Sequence, residues 1–583
     1  MGPIGEKQMP VSWSKAATPL VFFALLLAVG CATIEFSKAP ELPVVAVEPP
    51  AVEQPSPPPL PPNAPVPAPA PEPAAPAATL SLSMQDAIEL ALEKNLGLQV
   101  EQINPASART LIAEQRALFD PAVDASLTRS KARSERDFIT AVPLDVPSGA
   151  GTPAGTITID ERAEAGSETY TTSGDLGVSE YLPTGTTINA SVSPSRSRAD
   201  TFTSRIGAEG SDTLLDSAGT DLSISQHLLQ GFGLKVNLAG LRQAKLAALS
   251  SDYQFRAAVE NLVTEVEITY WDYTLAQQQI NILEESLTLA QNQAKEVEER
   301  IRVGVLAETE RAAADAEVAL RQNLLIDGRS RLNQLRLALL RLLNPDEQAL
   351  EHQDLALTTQ PVMPEIDLDT VPQSIAFAQQ MRPELNQARL LIQRDELSLI
   401  TTRNGLLPQL DLILSLSKGL TETEYAQIFR ESTRNIENED THASVGAVFS
   451  YPIGNRAARA RHNRAEFSRD KDEQALANLA QLVEQDVRSA YIELRRAREQ
   501  IAATAATRKL QETVARTEAE KMRLGSSTSL LVAQAQRDLL EAQINEVEAA
   551  KNFLQAIVNL YRLDGSLLIR RGIDCPGAQP IKL

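Results

Sequence analysis

The stretch Val266-Glu267-Ile268-Thr269-Tyr270, running without a proline to Arg302-Val303-Gly304 and on to Leu342, decides the fold because its landmarks occur twice. Val487-Arg488-Ser489-Ala490-Tyr491 leads in the same way to Arg523-Leu524-Gly525 and Leu563. Val266, Tyr270, Gly304 and Leu342 each return 221 residues later, with no gap. Further out, Ile88, Leu98, Arg116 and Pro121 return 287 residues later as Ile375, Leu385, Arg403 and Pro408. A repeat of this size implies two copies of one unit packed about a pseudo-symmetric axis. The two offsets differ by 66 residues, so copy one carries an insertion of that length between Pro121 and Val266.

Within each copy the longest signal is helical. Proline-free runs over 238–303 and 457–524 repeat apolar residues three and four apart, as at Leu283, Leu287 and Ala290, or Val483, Val487, Ala490 and Leu494. At 1.5 Å per residue such a helix spans roughly 100 Å and survives only when packed lengthwise on others. Each run meets a glycine, Gly304 or Gly525, and a partner helix follows over about 308–343 or 529–563. Glycine supplies the left-handed turn, and Arg302 and Arg523 suit the negative end of the helix dipole. Shorter helices precede them. Ser83 to Asp86 caps one that stops near Asn95, and a second runs from about Pro105 to Leu118. Copy two repeats this as 374–380 and 383–406, ended by Pro408.

Between the short and long helices lie period-two segments. Val123, Ala125 and Leu127 alternate with Asp124, Ser126 and Thr128; Leu410 to Leu416 and Val445 to Tyr451 do the same in copy two. Either the apolar face meets lipid and the polar face a lumen, or the segments form a soluble sandwich or cap. The insertion adds segments around 171–179 and 186–193, joined by Leu182-Pro183-Thr184-Gly185, which reads as one extra hairpin. The polar flanks 134–168 and 194–219 read as surface loops. If the hairpin joins the other strands in one sheet, each chain gives six strands; if it stands apart, four.

Composition narrows the function. A net charge of −21 argues against nucleic acid as the main partner. Two cysteines, Cys31 and Cys575, build neither a disulfide framework nor a thiolate metal site, and the four histidines have no ligand spacing. Neither a nucleotide-binding P-loop nor a nucleophile elbow occurs, so no enzyme and no cofactor is expected.

The chain opens as a targeting segment: Lys7 and Lys15, an apolar run from Pro19 to Gly30, then Leu27-Ala28-Val29-Gly30-Cys31. This resembles the lipobox of bacterial lipoproteins, with Ala28 where leucine is commoner. It implies cleavage and acylation at Cys31; the alternative is an ordinary secretory signal with an incidental cysteine. Ala32 after the cysteine, by resemblance to bacterial sorting rules, favours the outer membrane. The proline-rich run over 39–78 reads as a tether to that lipid anchor, or as a ligand for a proline-reading domain. The divisions are then 1–30, signal peptide; 31–79, lipidated N-terminus and linker; and 80–345, first repeat, with strands about 122–230 and hairpin about 238–343. A linker follows at 346–371; the second repeat is 372–568, with strands about 408–451 and hairpin about 457–563, and the tail is 569–583.

These phrases together resemble the TolC-type outer-membrane efflux protein family from Leu80 to about Leu568. Leu118-Phe119-Asp120-Pro121 and Leu406-Leu407-Pro408 lead from helix to strand, Leu228-Leu229-Gln230-Gly231-Phe232-Gly233 and Tyr451-Pro452-Ile453-Gly454 from strand to long helix, and the two hairpin glycines close the pattern. The resemblance implies a fold that is mainly α with a membrane β-barrel, a homotrimer forming an α/β barrel tunnel from outer membrane into periplasm. It also implies docking of a periplasmic adaptor protein, driven by an inner-membrane transporter, at tips made of Arg302, Val303, Gly304, Arg523, Leu524 and Gly525. Many members carry acidic residues just after the second hairpin glycine. This chain has none before Asp538, which leaves Glu310 of copy one as the gate candidate. The expected function is a passive outer-membrane channel of a tripartite efflux or secretion system. Its rival is a structural periplasmic coiled-coil lipoprotein without a pore.

Overall fold

The computed structural model describes residues 80–146, 155–203, 211–345, 355–359, 369–422 and 441–582. The leader, Cys31 and the proline-rich stretch lie outside them, as does most of the 346–371 linker.

Copy one opens with β1 (Leu80–Leu82) and α1 (Met84–Lys94). A capping box starts α1: the Ser83 hydroxyl accepts from the Asp86 N–H at 3.2 Å, and the Asp86 carboxylate accepts from the Ser83 N–H at 3.0 Å. Next, α2 (Leu96–Ala117) begins nine residues before the expected Pro105. Asn95 both ends α1 and caps α2, its side chain accepting from the Leu98 N–H at 3.0 Å. Two turns are therefore already wound when Pro105 arrives, and its ring is accommodated in the helix interior at the loss of one backbone bond.

Four strands follow: β2 (Ala122–Val146), β3 (Gly155–Leu182), β4 (Thr186–Thr203) and β5 (Asp212–His227). The one-turn α3 (Leu234–Asn237) leads into α4 (Ala239–Arg302), and α5 (Thr309–Leu343) returns beside it. A short β6 (Leu355–Leu357) pairs in parallel with β1, so a piece of the expected linker ties back to the start of copy one. Copy two gives α6 (Val371–Met381), α7 (Pro383–Asn404), β7 (Gln409–Glu422), β8 (Thr441–Ser450), α8 (Arg456–Arg523), α9 (Ser529–Leu563) and the terminal turn α10 (Leu567–Arg570).

The recurring valine and tyrosine pin each long helix to its own short helices. Val266 is fully buried, and the Tyr270 hydroxyl donates to the Leu82 carbonyl at 3.1 Å. In copy two Val487 is fully buried with Ala378, Leu385 and Val483, and the Tyr491 hydroxyl donates to the Asp369 carbonyl at 2.7 Å. The helical wall runs α2, α4, α7, α8, each packed on the next.

The strands form one continuous antiparallel sheet, in the order β2-β3-β4-β5-β7-β8. The extra hairpin is thus the middle of the copy-one strands, turning at Gly185 with φ +86°, and not an appendage. Where they are described, the regions 134–168 and 194–219 are almost entirely strand and not the expected loops; 147–154 and 204–210 lie outside the described residues. β2 and β3 stay in register from Ala122↔Ser179 to Val146↔Gly155, roughly 80 Å of hairpin at about 3.3 Å per residue. Their apolar alternation stops after Leu127, but the backbone ladder does not. Cross-strand ion pairs such as Lys131–Glu168 at 3.1 Å take over from apolar pairs.

Candidate functional site

The two hairpin tips are built alike. At the end of α4 the Gly304 N–H donates to the Ile301 carbonyl at 2.9 Å and the Val305 N–H to the Arg300 carbonyl at 2.9 Å. At the end of α8 the Gly525 N–H donates to Met522 at 3.1 Å and the Ser526 N–H to Lys521 at 2.9 Å. Both are Schellman closures, which need a left-handed residue after the helix. Gly304 has φ +76° and Gly525 φ +74°. A Cβ on either would meet nothing within 4 Å, so the backbone angle alone demands glycine there. Arg302 pairs with Glu299, and Arg523 with Glu520 at 3.3 Å, each three residues back on the same helix. Val303, Val305 and Leu524 end the tips as exposed apolar side chains, Leu524 being 84% exposed.

Behind the tips the hairpins are joined. Val297, Met522 and Val532 form a small core with Ile301, Leu306 and Ala314 against it. Arg300 Nη1 donates to the Met522 carbonyl at 3.5 Å. The Ser529 hydroxyl donates to Glu310 Oε2, linking the first turn of α9 to the first turn of α5. Glu310 is therefore a bonded carboxylate between hairpins, a partnership its own sequence neighbourhood does not disclose. A groove of about 290 Å³ runs beside this contact, lined by Ala290, Ala294, Ala313, Ala314, Leu530 and Ala533 among others. Alanine there lets the helices approach closely and leaves a shallow, largely apolar surface.

The sheet is two-faced. One register row crosses all six strands as Val123, Val178, Ala190, Leu222, Leu416 and Ala443. The adjacent row on the other face is Asp124, Gly177, Ser191, Asp221, Ser417 and His442. Val123, Leu176, Leu416, Val445 and Phe449 are exposed in the single chain. The outer strands β2 and β8 each present an unpaired edge within the chain. Among the described residues no helix is long and apolar enough to cross a membrane, and no group of three or more His, Cys, Asp or Glu could hold a metal ion.

A two-faced sheet continued by a wall of helical hairpins defines a class: an amphipathic sheet mounted on a long helical body. The family described as outer membrane efflux protein matches residues 182–345 and 375–566, and the chain belongs to that family. No curated protein matches it. Among solved structures it is similar to the Campylobacter jejuni CmeC outer membrane channel, at 16% identity and TM-score 0.58, over 83% of this chain and 86% of that one. It is similar to the Vibrio cholerae outer membrane protein VceC, at 14% identity and TM-score 0.56, over 83% of this chain and 96% of that one. The open state of the Neisseria gonorrhoeae MtrE outer membrane channel gives 16% identity and TM-score 0.54, over 83% and 89%. At these identities the likeness speaks for the fold. The chain is an outer membrane efflux protein and not an enzyme.

Proposed function

We propose that this protein is the passive outer-membrane duct of a tripartite efflux or secretion system, with three copies closing one eighteen-stranded barrel above a helical tunnel. The observation that carries the reading is the pair of matching open edges. The sheet is open at β2 and β8, and the helical wall is open at α2 and α8, which adjoin those same strands. A head-to-tail ring joining the first edge of one copy to the last edge of the next closes sheet and wall together. Lipid cannot satisfy unpaired strand edges, so closure is required if the apolar face enters a bilayer.

Exposed apolar side chains sit where such a ring needs them. On α8, Phe467, Ile492, Leu510 and Val514 are exposed and fall within a narrow sector at 3.6 residues per turn. On α2, Leu96, Val100 and Ile103 form a second exposed stripe. The row Asp124 to His442 would then line the lumen. The tips Arg302-Val303-Gly304 and Arg523-Leu524-Gly525 would meet a periplasmic adaptor, with an inner-membrane transporter supplying the energy. Glu310, held by Ser529, would be part of the closed mouth, and Cys31 would carry the lipid anchor.

The test is conductance together with assembly. Purified protein should run as a heat-resistant trimer and give discrete single-channel currents in planar bilayers. A stable, water-soluble monomer would overturn the proposal, and a trimer without conductance would return the pore-less spacer.

A further inference from the structure

Beyond the apolar band the outward face of the sheet changes character in a fixed order. Two same-face rows past Ala125 the register reads Arg129, Thr172, Arg196 and Asp216 across β2 to β5. The next reads Lys131, Tyr170, Arg198 and Leu214. The row beyond reads Arg133, Glu168, Asp200 and Asp212. Moving away from the band, the face is therefore apolar, then basic, then acidic. The two basic rows carry four cations against one carboxylate in these strands.

The side chains are held in that order. Lys131 lies 5.0 Å from the centre of the Tyr170 ring and 3.1 Å from Glu168. Arg198 reaches Asp212 at 2.8 Å and Asp200 at 3.1 Å. Arg196 grips the buried Asp216 with two bonds, at 2.7 and 2.8 Å. In Lys131 and Arg198 the compensating carboxylates come from the far row; on the side toward the apolar band the acids of the register are Asp216, held by Arg196, and Glu422 opposite it on β7. Among the described residues Arg129, nearest the band on β2, has no ion-pair partner and is exposed. The opposite face at this level carries no charge: Ser130, Thr171, Ser197 and Leu215 share one row there. The cations are thus confined to the face that continues the apolar band.

We propose that this basic belt, Arg129, Lys131, Arg196 and Arg198 with Tyr170, is a docking surface for the phosphate headgroups of outer-leaflet glycolipid, of the lipid A type. The inference rests on the barrel reading above, which puts the apolar band in the membrane. The strands meet the helices at Ala122, His227, Gln409 and Ser450, and the β3–β4 turn lies at that same end, the Gly233 N–H donating to the Thr184 carbonyl at 3.1 Å, so the belt lies on the band's far side from the helical body. That side faces the outer leaflet. An arginine or lysine one or two residues beyond the hydrocarbon edge meets a lipid phosphate, and an aromatic ring at that depth fits the interfacial girdle of membrane barrels. Cations meant for cargo would face the lumen, and these do not.

The test uses the full-length protein reconstituted in phosphatidylcholine vesicles, with either bisphosphorylated lipid A or the same lipid dephosphorylated. After detergent extraction, lipid retained per protein is read by native mass spectrometry. Retention of the phosphorylated form should exceed that of the dephosphorylated form. The double variant Arg129→Gln with Lys131→Gln should reduce it by about five-fold per cation removed. Equal retention of the two lipids by the unaltered protein would overturn the proposal without relying on any variant. Unchanged phosphorylated-lipid retention in the double variant would overturn it too. Displacement by millimolar inorganic phosphate would make the belt a general anion site and overturn the commitment to lipid. If the protein conducts in pure phosphatidylcholine yet fails these tests, only the belt falls. If it enters no vesicle, the barrel reading falls with it.

Discussion

The two long helices share a design and differ in completion. In α4, twenty-two of 64 residues are buried; in α8, ten of 68 are, although both carry the same valine and tyrosine landmarks. α4 packs along its length against α1, α2, α5, α7 and α9, whereas α8 packs mainly against α6, α7 and α9 and meets α4 near the tip, where Met522 contacts Val297 and Arg300. Large exposed apolar residues on α4 reduce to Leu289, while α8 shows Phe467, Leu482, Ile492, Leu510 and Val514. Duplication thus produced one helix finished within the chain and one whose outer stripe awaits another surface. Position in the wall is one cause of the difference; composition is another, since α8 is the more charged helix, with runs such as Arg469-Asp470-Lys471-Asp472-Glu473.

The harshest way to probe that difference is to place a carboxylate on each helix. Val266→Asp puts a charge where no side chain can answer it, and should cost several kcal/mol and abolish the folded protein. Phe467→Asp with Ile492→Asp, on the open stripe of α8, should leave the circular dichroism of the chain helical and yet yield monomers on gel filtration with light scattering. A trimer surviving the second pair would mean that the stripe faces solvent and that the edges close elsewhere.

A milder contrast lies at one repeated position. Glu260 of α4 is buried beside Arg256, and its counterpart 221 residues on is the exposed Gln481. Burial, opposed mainly by Arg256 at 3.1 Å, lifts the Glu260 carboxyl from 4.5 to about 7. The folded protein therefore holds this proton more tightly than the unfolded chain. The resulting stabilisation is fully present below pH 4.5 and disappears as pH rises through about 7. Glu260→Gln should remove one proton's share of that slope, at most about 1.4 kcal/mol per pH unit, from denaturation midpoints measured across the window. An unaltered slope would place the titration on another group.

What the sequence disclosed follows from which physical signal each element leaves. The hairpins were legible because an uninterrupted 3.6-residue period, ending in Gly304 or Gly525, has no competing interpretation over so many turns. The start of α2 was misplaced because Pro105 is a strong mark of a helix beginning, and Asn95 serves two helices at once. The long strands were hidden for a different reason. From Arg129 to Asp137 β2 is almost wholly polar on both faces and beyond it apolar residues such as Phe138 and Ile139 fall on adjacent positions, so period two vanishes, while pairing rests on backbone bonds and on partners 37 positions away, as for Lys131 and Glu168. At the tips, the glycines declared themselves through the turn they permit. The link from Glu310 to Ser529 did not, since it joins residues 219 apart.

The tip glycines should respond alike, because their φ angles differ by only 2° and neither has a neighbour to clash with. Gly304→Val or Gly525→Val should cost about 1–2 kcal/mol of left-handed strain, local to the closure. Trimer assembly and single-channel conductance should survive, while drug or dye export in cells carrying the partner proteins should fall. If only one of the two variants lowers export, the adaptor engages one hairpin and the symmetry of the tips is structural alone.

The smallest expected effect separates the copies most finely. Ser529 occupies the place where copy one has Glu308, and it is this substitution of hydroxyl for carboxylate that lets α9 donate to Glu310 instead of repelling it. A single part-buried bond to a carboxylate contributes on the order of 1 kcal/mol. Ser529→Ala should therefore raise the open fraction in bilayer recordings by about five-fold, and Glu310→Ala by a similar amount. Because the two act through one bond, the double variant should add little to either single variant. Ser529→Glu, which restores the copy-one side chain, should open the mouth further by setting two carboxylates against each other. Independent, additive changes in the double variant would show that the hydrogen bond does not hold the hairpins together, and that closure rests on Val297, Met522 and Val532 behind it.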